Sequence, residues 1–225
     1  MPGGSPDVRL QLDAVRGRVA AACQRAGRSD AEVTLLAVTK YADLATVAQL
    51  VEAGVGDLGE NQAQQLRDRA PMFPGVRWHA IGPLQTNKAK YVAAHAFAFH
   101  ALDRLEVAEA LSARRVVSEA APLLCYVQVN VAGEATKAGV APADLDALLG
   151  SIEKEELGGI EVVGLMAMPP LATDADDSRG WFRMLADLAA PRGLGGLSMG
   201  TSADFEVAIE EGATVVRIGA SLAPA

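Results

Sequence analysis

Val33-Thr34-Leu35-Leu36-Ala37-Val38-Thr39-Lys40 is a run of apolar and β-forming residues that ends abruptly in a cation. A near-continuous run of this kind reads as a strand buried on both faces. Upstream, Val8, Leu12, Val15, Val19 and Ala22 recur at helical spacing, which predicts an N-terminal amphipathic helix over about residues 7–25, stopped near Gly27. Downstream, comparable runs recur at 55–59, 76–82, 96–101, 123–129, 161–166, briefly around 196–198, and at 214–218. Helical patterns lie between them, at 44–53, 62–70, 104–119, 142–153, 178–190 and 203–211. Eight strands alternating with helices predict an α/β protein whose parallel sheet closes into a (β/α)₈ TIM barrel. An open doubly wound sheet is the alternative, disfavoured because no GxGxxG follows the first strand. No linker or low-complexity stretch interrupts the chain, so residues 1–225 read as one domain, with 169–177 a long loop after the sixth strand.

Composition narrows the function classes. Half of the 225 residues are hydrophobic, enough to bury a sizeable core. The formal net charge is −8, and no basic block occurs, which argues against nucleic acid. No apolar run approaches the roughly 20 residues of a membrane span. Residues 1–8 lack the pattern of a secretory signal, and the two cysteines, Cys23 and Cys125, stand apart in apolar surroundings. They read as buried free thiols in a reducing cytoplasm. His79, His95 and His100 lack metal-ligand spacing, so no metal site is expected. His100 reads as a satisfied core residue.

In a barrel of this kind the working end is the C-terminal end of the strands. Polar residues gather there: Lys40, Glu60-Asn61, the block 82–88, Asp103-Arg104, Asn130, Ser198-Met199-Gly200-Thr201-Ser202, Arg217, and Gly219-Ala220-Ser221. Alternation puts Leu36, Val38 and Lys40 on one strand face, so Lys40 points into the mouth if its neighbours fill the interior. A free lysine, with a pKa of about 10.4, needs partial burial or a neighbouring cation to serve as a nucleophile. Taken alone, a strand-end lysine reaching solvent is the commoner reading. Arg217 lies inside an apolar strand, where a charge is costly unless paired. It is either ion-paired, with Glu60, Asp103 or another carboxylate, or a donor to a ligand. The loops after strands seven and eight are the usual phosphate site of this fold. An ordinary turn capped by Ser202 explains that serine, but not Ser198, Gly200 and Gly219 together.

These same blocks resemble a known family. Residues 35–40, Gly59-Glu60-Asn61, the block from Trp78 to Lys88, Gly164-Leu165-Met166-Ala167-Met168, 197–202 and Val216-Arg217-Ile218-Gly219 look like the YggS/PROSC family of pyridoxal 5′-phosphate (PLP) homeostasis proteins. The resemblance runs in order along nearly the whole chain. It implies a barrel similar to the N-terminal domain of alanine racemase, with PLP held as a Schiff base on Lys40. It further implies Arg217 at the pyridine nitrogen, Asn61 near the ring, Ser198, Gly200, Gly219 and Ala220 at the phosphate, and Met199 among the cofactor-binding residues. Proteins of this kind are cytoplasmic, monomeric PLP carriers without an established reaction, which buffer PLP or deliver it to PLP-dependent apoenzymes.

The residues agree with muted chemistry. An arginine at the ring nitrogen favours an unprotonated ring and weakens the electron sink. Racemases add a tyrosine from a second domain. Here Tyr41, Tyr91 and Tyr126 are not so placed, and Tyr41, adjacent to Lys40, is expected on the opposite face. No catalytic residue is therefore assigned. Two features depart from the family: Ala220 stands where threonine is common, and the sequence stops at Ala225, which predicts a short or absent last helix. A PLP-dependent amino-acid racemase is the competing enzyme reading, and a barrel binding another phosphate ligand without a covalent bond is the third.

Overall fold

The apolar runs become eight parallel strands: β1 (Thr34–Val38), β2 (Asp57–Glu60), β3 (Arg77–Ala80), β4 (Ala98–Leu102), β5 (Leu123–Gln128), β6 (Ile160–Met166), β7 (Gly196–Thr201) and β8 (Val215–Ile218). A computed structural model of the protein describes residues 8–134, 137–170 and 173–222. Each strand pairs with the next, and β8 returns to β1 with Leu36 opposite Arg217 and Ala37 opposite Ile218. The ring is thus a closed barrel, and the open-sheet alternative is excluded. The helices are α1 (Val8–Arg25), α2 (Leu44–Glu52), α3 (Ala63–Arg69), α4 (Ala89–His95), α5 (Leu105–Val117), α6 (Leu145–Lys154), α7 (Arg179–Ala189) and α8 (Phe205–Glu210). The start of the first helix before Val8 and the reading of the last helix after Leu222 lie outside the described residues, as do Leu171 and Ala172 of the expected loop. Part of that loop, Ala175–Ser178, is a 3-10 turn.

Alternation sorts the strand side chains into two layers. Ala37, Val216 and Ile218 join the continuous apolar core between sheet and helices, with Phe99, Phe182 and Phe205 among its largest fully buried members. Leu36 and Val215 are buried but stand outside that core, on the inner face of the barrel. The interior therefore has its own, partly polar, filling. α4 has no counterpart in the sequence reading. It is short, and its buried face consists of Ala89, Val92 and Ala93, too little apolar bulk to give a periodic signal. β7 also extends to Thr201, three residues beyond its expected end.

α1 closes against α8. Its buried stripe is Val8, Leu12, Val15, Val19 and Ala22, and Arg18 and Arg25 reach Glu206 and Glu210 at 2.9 and 2.7 Å. The Arg18 and Glu206 side chains stay 44% and 32% exposed, so water screens the pair. An Arg18→Ala variant should lose less than about 1 kcal/mol of unfolding free energy in a urea titration. A larger loss would mean that charge, rather than the apolar stripe, docks this helix.

Candidate cofactor site at the barrel mouth

β1 stops at Val38, and the chain turns at once, with the Ala42 N–H donating to the Thr39 carbonyl. The turn is pinned from outside the barrel. Thr39 donates its hydroxyl to Glu60 Oε1 at 2.6 Å, and Arg69, the last residue of α3, donates to the same oxygen at 2.6 Å. Arg69 also donates to the Thr39 and Ala42 carbonyls at 2.8 and 2.7 Å, on both sides of Lys40. Gln65 donates to the Lys40 carbonyl at 3.4 Å. Lys40 is half-buried at the rim, next to the end of β8, to which β1 is paired. Its Nζ lies 4.7 Å from the centre of the Tyr41 ring, which is 73% exposed. The expectation that Tyr41 points away from Lys40 is thereby corrected. Strand alternation ends at Val38, and a turn does not separate successive side chains as a strand does.

Across the rim, β7 leads into Thr201 and Ser202. Thr201 donates through its N–H and hydroxyl to Asp204 Oδ1, and the Gly219 N–H donates to Ser202 Oγ at 3.2 Å. These bonds draw the ends of β7 and β8 together. Gly219 is half-buried and Ala220 exposed, and a Cβ built on Gly219 would lie 3.5 Å from Val38 of β1. Gly200 has φ +87°, and a Cβ there would lie 2.6 Å from Ala208 Cβ and 2.9 Å from Phe205 Cα. Glycine at 200 is thus what lets α8 pack on β7. Asn61 is exposed at the end of β2, and its carbonyl would lie 2.1 Å from a Cβ on Gly82, so the loops after β2 and β3 meet only because Gly82 has no side chain.

The side chains of two of the residues read as cofactor contacts point elsewhere. Ser198 is fully buried, with its hydroxyl between His100 and Arg217, both at 2.8 Å. Met199 is fully buried in the core between sheet and helices. Ser202, read from sequence as a helix cap, instead has its hydroxyl at the β7–β8 rim. The cap position of α8 is Asp204. Arg217 is 5% exposed and donates to Ser198 Oγ and, at 2.9 Å, to the Ala167 carbonyl. Burial pulls its guanidinium down to about 10, with Asp204 acting in the opposite direction, so it is charged at neutral pH. The carboxylates considered as its partners are engaged elsewhere: Glu60 with Arg69 at 2.6 Å and Asp103 with Arg104 at 2.7 Å.

His79 and His100, which sequence reading treated singly, meet in the interior. His79 Nδ1 lies 2.9 Å from His100 Nε2, and His79 Nε2 lies 3.0 Å from Asp57 Oδ1. Their proximity follows only once β3 and β4 are known to be neighbours. Cys23 and Cys125 are buried free thiols, and burial pushes Cys125 up to about 12, which removes it as a nucleophile.

A half-buried amine, a rim of small residues carrying N–H and hydroxyl groups, and a buried cation lie at one end of the barrel. That donor set suits a ligand with a carbonyl, an anionic group and a ring acceptor. The model of the alanine racemase N-terminal domain family matches residues 10–223. A pyridoxal phosphate homeostasis protein of Pseudomonas aeruginosa is 41% identical over 212 residues, covering 92% of this chain and 91% of that protein. A crystal structure of an unknown protein from Bifidobacterium adolescentis superposes with a TM-score of 0.86 at 31% identity, over 96% of this chain and 94% of the other. PipY of Synechococcus elongatus, solved with PLP bound, superposes with a TM-score of 0.80 at 27% identity over 96% and 99%. This chain therefore belongs to the pyridoxal phosphate homeostasis proteins of the alanine racemase N-terminal domain family.

Proposed function

We propose that this protein binds PLP covalently through Lys40 and acts as a PLP carrier rather than an enzyme. The observation that carries the reading is the half-buried Lys40 held at the rim beside the β7–β8 phosphate-type loops, in a chain whose relatives are named for PLP homeostasis. When bound, PLP supplies an aldehyde that condenses with an amine and a ring that withdraws electrons. Lys40 provides the amine, and the Arg69 bonds on either side of it fix where that amine starts. Ser202, Gly219 and the neighbouring backbone of Gly200 and Ala220 receive the phosphate. The hydroxyl of Ser202 takes the place that Ser198 cannot fill, because Ser198 is committed to Arg217. Asn61 borders the ring from the end of β2. Arg217 donates to the ring nitrogen and, having no acceptor, keeps that nitrogen unprotonated.

The carrier reading over the racemase reading rests on what surrounds Lys40. A racemase needs a second acid or base across the ring. Tyr126 is half-buried and stacked on His100, and burial, with Asp57, raises its hydroxyl above the usual range. Tyr91 sits on the outside beside Arg67. Tyr41 is the tyrosine beside Lys40, and it is exposed on a turn. Among the described residues no helix is long and apolar enough to cross a membrane, and no cluster of His, Cys, Asp or Glu is set to hold a metal. A monomer in the cytoplasm, handing PLP to apoenzymes, is the setting that fits this reading. Purified protein incubated with PLP should develop a visible absorbance band that borohydride bleaches, with the label on a Lys40 peptide. The same loaded protein should leave L- and D-amino acids at millimolar level unconverted. Measurable racemisation would replace the carrier reading with the enzyme one.

A further inference from the structure

Arg217 is a buried cation with no carboxylate paired to it directly among the described residues, yet a carboxylate ends the chain of bonds that begins at it. Arg217 contacts Ser198 Oγ at 2.8 Å, Ser198 contacts His100 Nδ1 at 2.8 Å, His100 Nε2 contacts His79 Nδ1 at 2.9 Å, and His79 Nε2 contacts Asp57 Oδ1 at 3.0 Å. The other oxygen of Asp57 accepts from Arg77 at 2.6 Å. These residues come from β8, β7, β4, β3 and β2. Because β4 and β7 are not neighbours in the ring, the Ser198–His100 bond crosses the interior. All but Arg77 are buried, and the line runs from the mouth to a cleft of about 300 Å³ at the opposite end, lined by Arg16, Asp57 and Arg77 among others.

One set of bond directions satisfies every donor and acceptor along this line. A guanidinium has donors only, so Ser198 Oγ accepts from Arg217. The hydroxyl proton of Ser198 then goes to its one other partner, His100 Nδ1, which must be bare. A neutral His100 carries its proton on Nε2 and donates it to His79 Nδ1. His79 carries its own proton on Nε2 and donates it to Asp57. Each link thus points its positive end toward the carboxylate and its lone pair toward the guanidinium, so the aligned dipoles favour both buried charges at once. A carboxylate placed directly on Arg217 would also hold its charge, but would compete with an incoming ligand for its N–H groups. Ser198 and Ala167 take two of the five, which leaves donors for that ligand. Burial, with the nearby Arg217 charge, holds His100 well below the usual histidine range. Asp57, which burial alone would raise, is held below the usual carboxylate range by its bonds from His79 and Arg77.

We propose that Asp57, His79, His100 and Ser198 form a one-directional hydrogen-bond relay that positions Arg217 and holds it charged toward the cofactor ring. The relay is not a proton wire, because reversing it would require Arg217 to accept a hydrogen bond, and a guanidinium has no acceptor. This assignment rests on Arg217 facing the ring nitrogen, and the test separates the two claims. Nitrogen-15 NMR of the PLP-free protein, with signals assigned by His79→Gln and His100→Gln, should show both imidazoles neutral and protonated on Nε2. His100 should stay so between about pH 5 and pH 8, where a free histidine titrates, with His79, Tyr126 and Arg217 facing it. An imidazolium at His79, or a proton on His100 Nδ1, overturns the relay. In PLP-loaded protein, His100→Phe should move the pH midpoint of the absorbance band by about one unit or more, a tenfold change in equilibrium. His100→Gln, which can still accept at one end and donate at the other, should return it toward the original. An unmoved midpoint in a folded His100→Phe protein overturns the positioning role and leaves the Lys40 reading intact. A native protein with no band removes the PLP reading, while the imidazole signals still decide the relay.

Discussion

A Lys40→Ala variant will show no visible band with PLP and will take up no borohydride-stable label. The loss should be complete, because Lys40 is the amine at the rim beside the phosphate-type loops. Lys88 and Lys90 flank Ala89 at the start of α4, with Lys88 at its cap and Lys90 near the Tyr91 ring. Non-covalent binding should survive in weakened form. Ser202 and Arg217 are untouched by the substitution, and their hydroxyl and guanidinium still offer donors to a phosphate and a ring nitrogen. With an exposed rim and the covalent bond gone, affinity should fall toward about the millimolar range, roughly −4 kcal/mol. Equilibrium dialysis against PLP measures the residue, and the spectrum measures the bond. An unchanged band in the variant would move the attachment to another lysine and dissolve the site as drawn. Full loss of both would place nearly all the affinity in the covalent bond and empty the phosphate assignment of content.

The parts of this site that could be read from sequence are those that depend on one strand at a time. Leu36, Val38 and Lys40 share a face by simple alternation, and Arg217 inside β8 is conspicuous because a charge there needs a reason. The barrel itself was legible because eight short, largely apolar runs alternate with helical patterns, which few other architectures require. What escaped depends on closure. His79 and His100 are 21 residues apart on neighbouring strands, but Ser198 lies 98 residues from His100 and reaches it through the interior. A sequence read strand by strand cannot tell whether Ser198 points into the interior or up to the rim. One step further along the chain, Ser202 looked like a helix cap, since serine before a helix is so often that. Tyr41 escaped for the opposite reason. Alternation was carried past Val38, where the strand had already ended.

Replacing Glu60 with alanine should cost about 3 kcal/mol of stability, although the residue touches no ligand. Glu60 is 1% exposed, and its partner Arg69 has a side chain 14% exposed. Removing the carboxylate leaves a desolvated guanidinium without its charge partner, and breaking a buried pair from one side typically costs about 3–5 kcal/mol. The lower figure applies here. Arg69 keeps its bonds to the Thr39 and Ala42 carbonyls, and Asp43 is close enough to feel its charge. For a chain of this length the melting temperature should drop by roughly 6–12 °C. The functional consequence follows from geometry. Thr39 loses the acceptor for its hydroxyl, and Arg69 is free to leave the two carbonyls that bracket Lys40. Borohydride labelling should then be slower, with its site unchanged. A double variant, Glu60→Leu with Arg69→Met, separates the two effects. It leaves no buried charge unpaired, so stability should recover, since a packed apolar pair often matches a buried ion pair. Labelling should stay slow, because nothing then holds the Thr39 and Ala42 carbonyls. If the double variant labels as fast as the native protein, the Arg69 clamp is a stability device alone and Lys40 is positioned by the end of β1 itself.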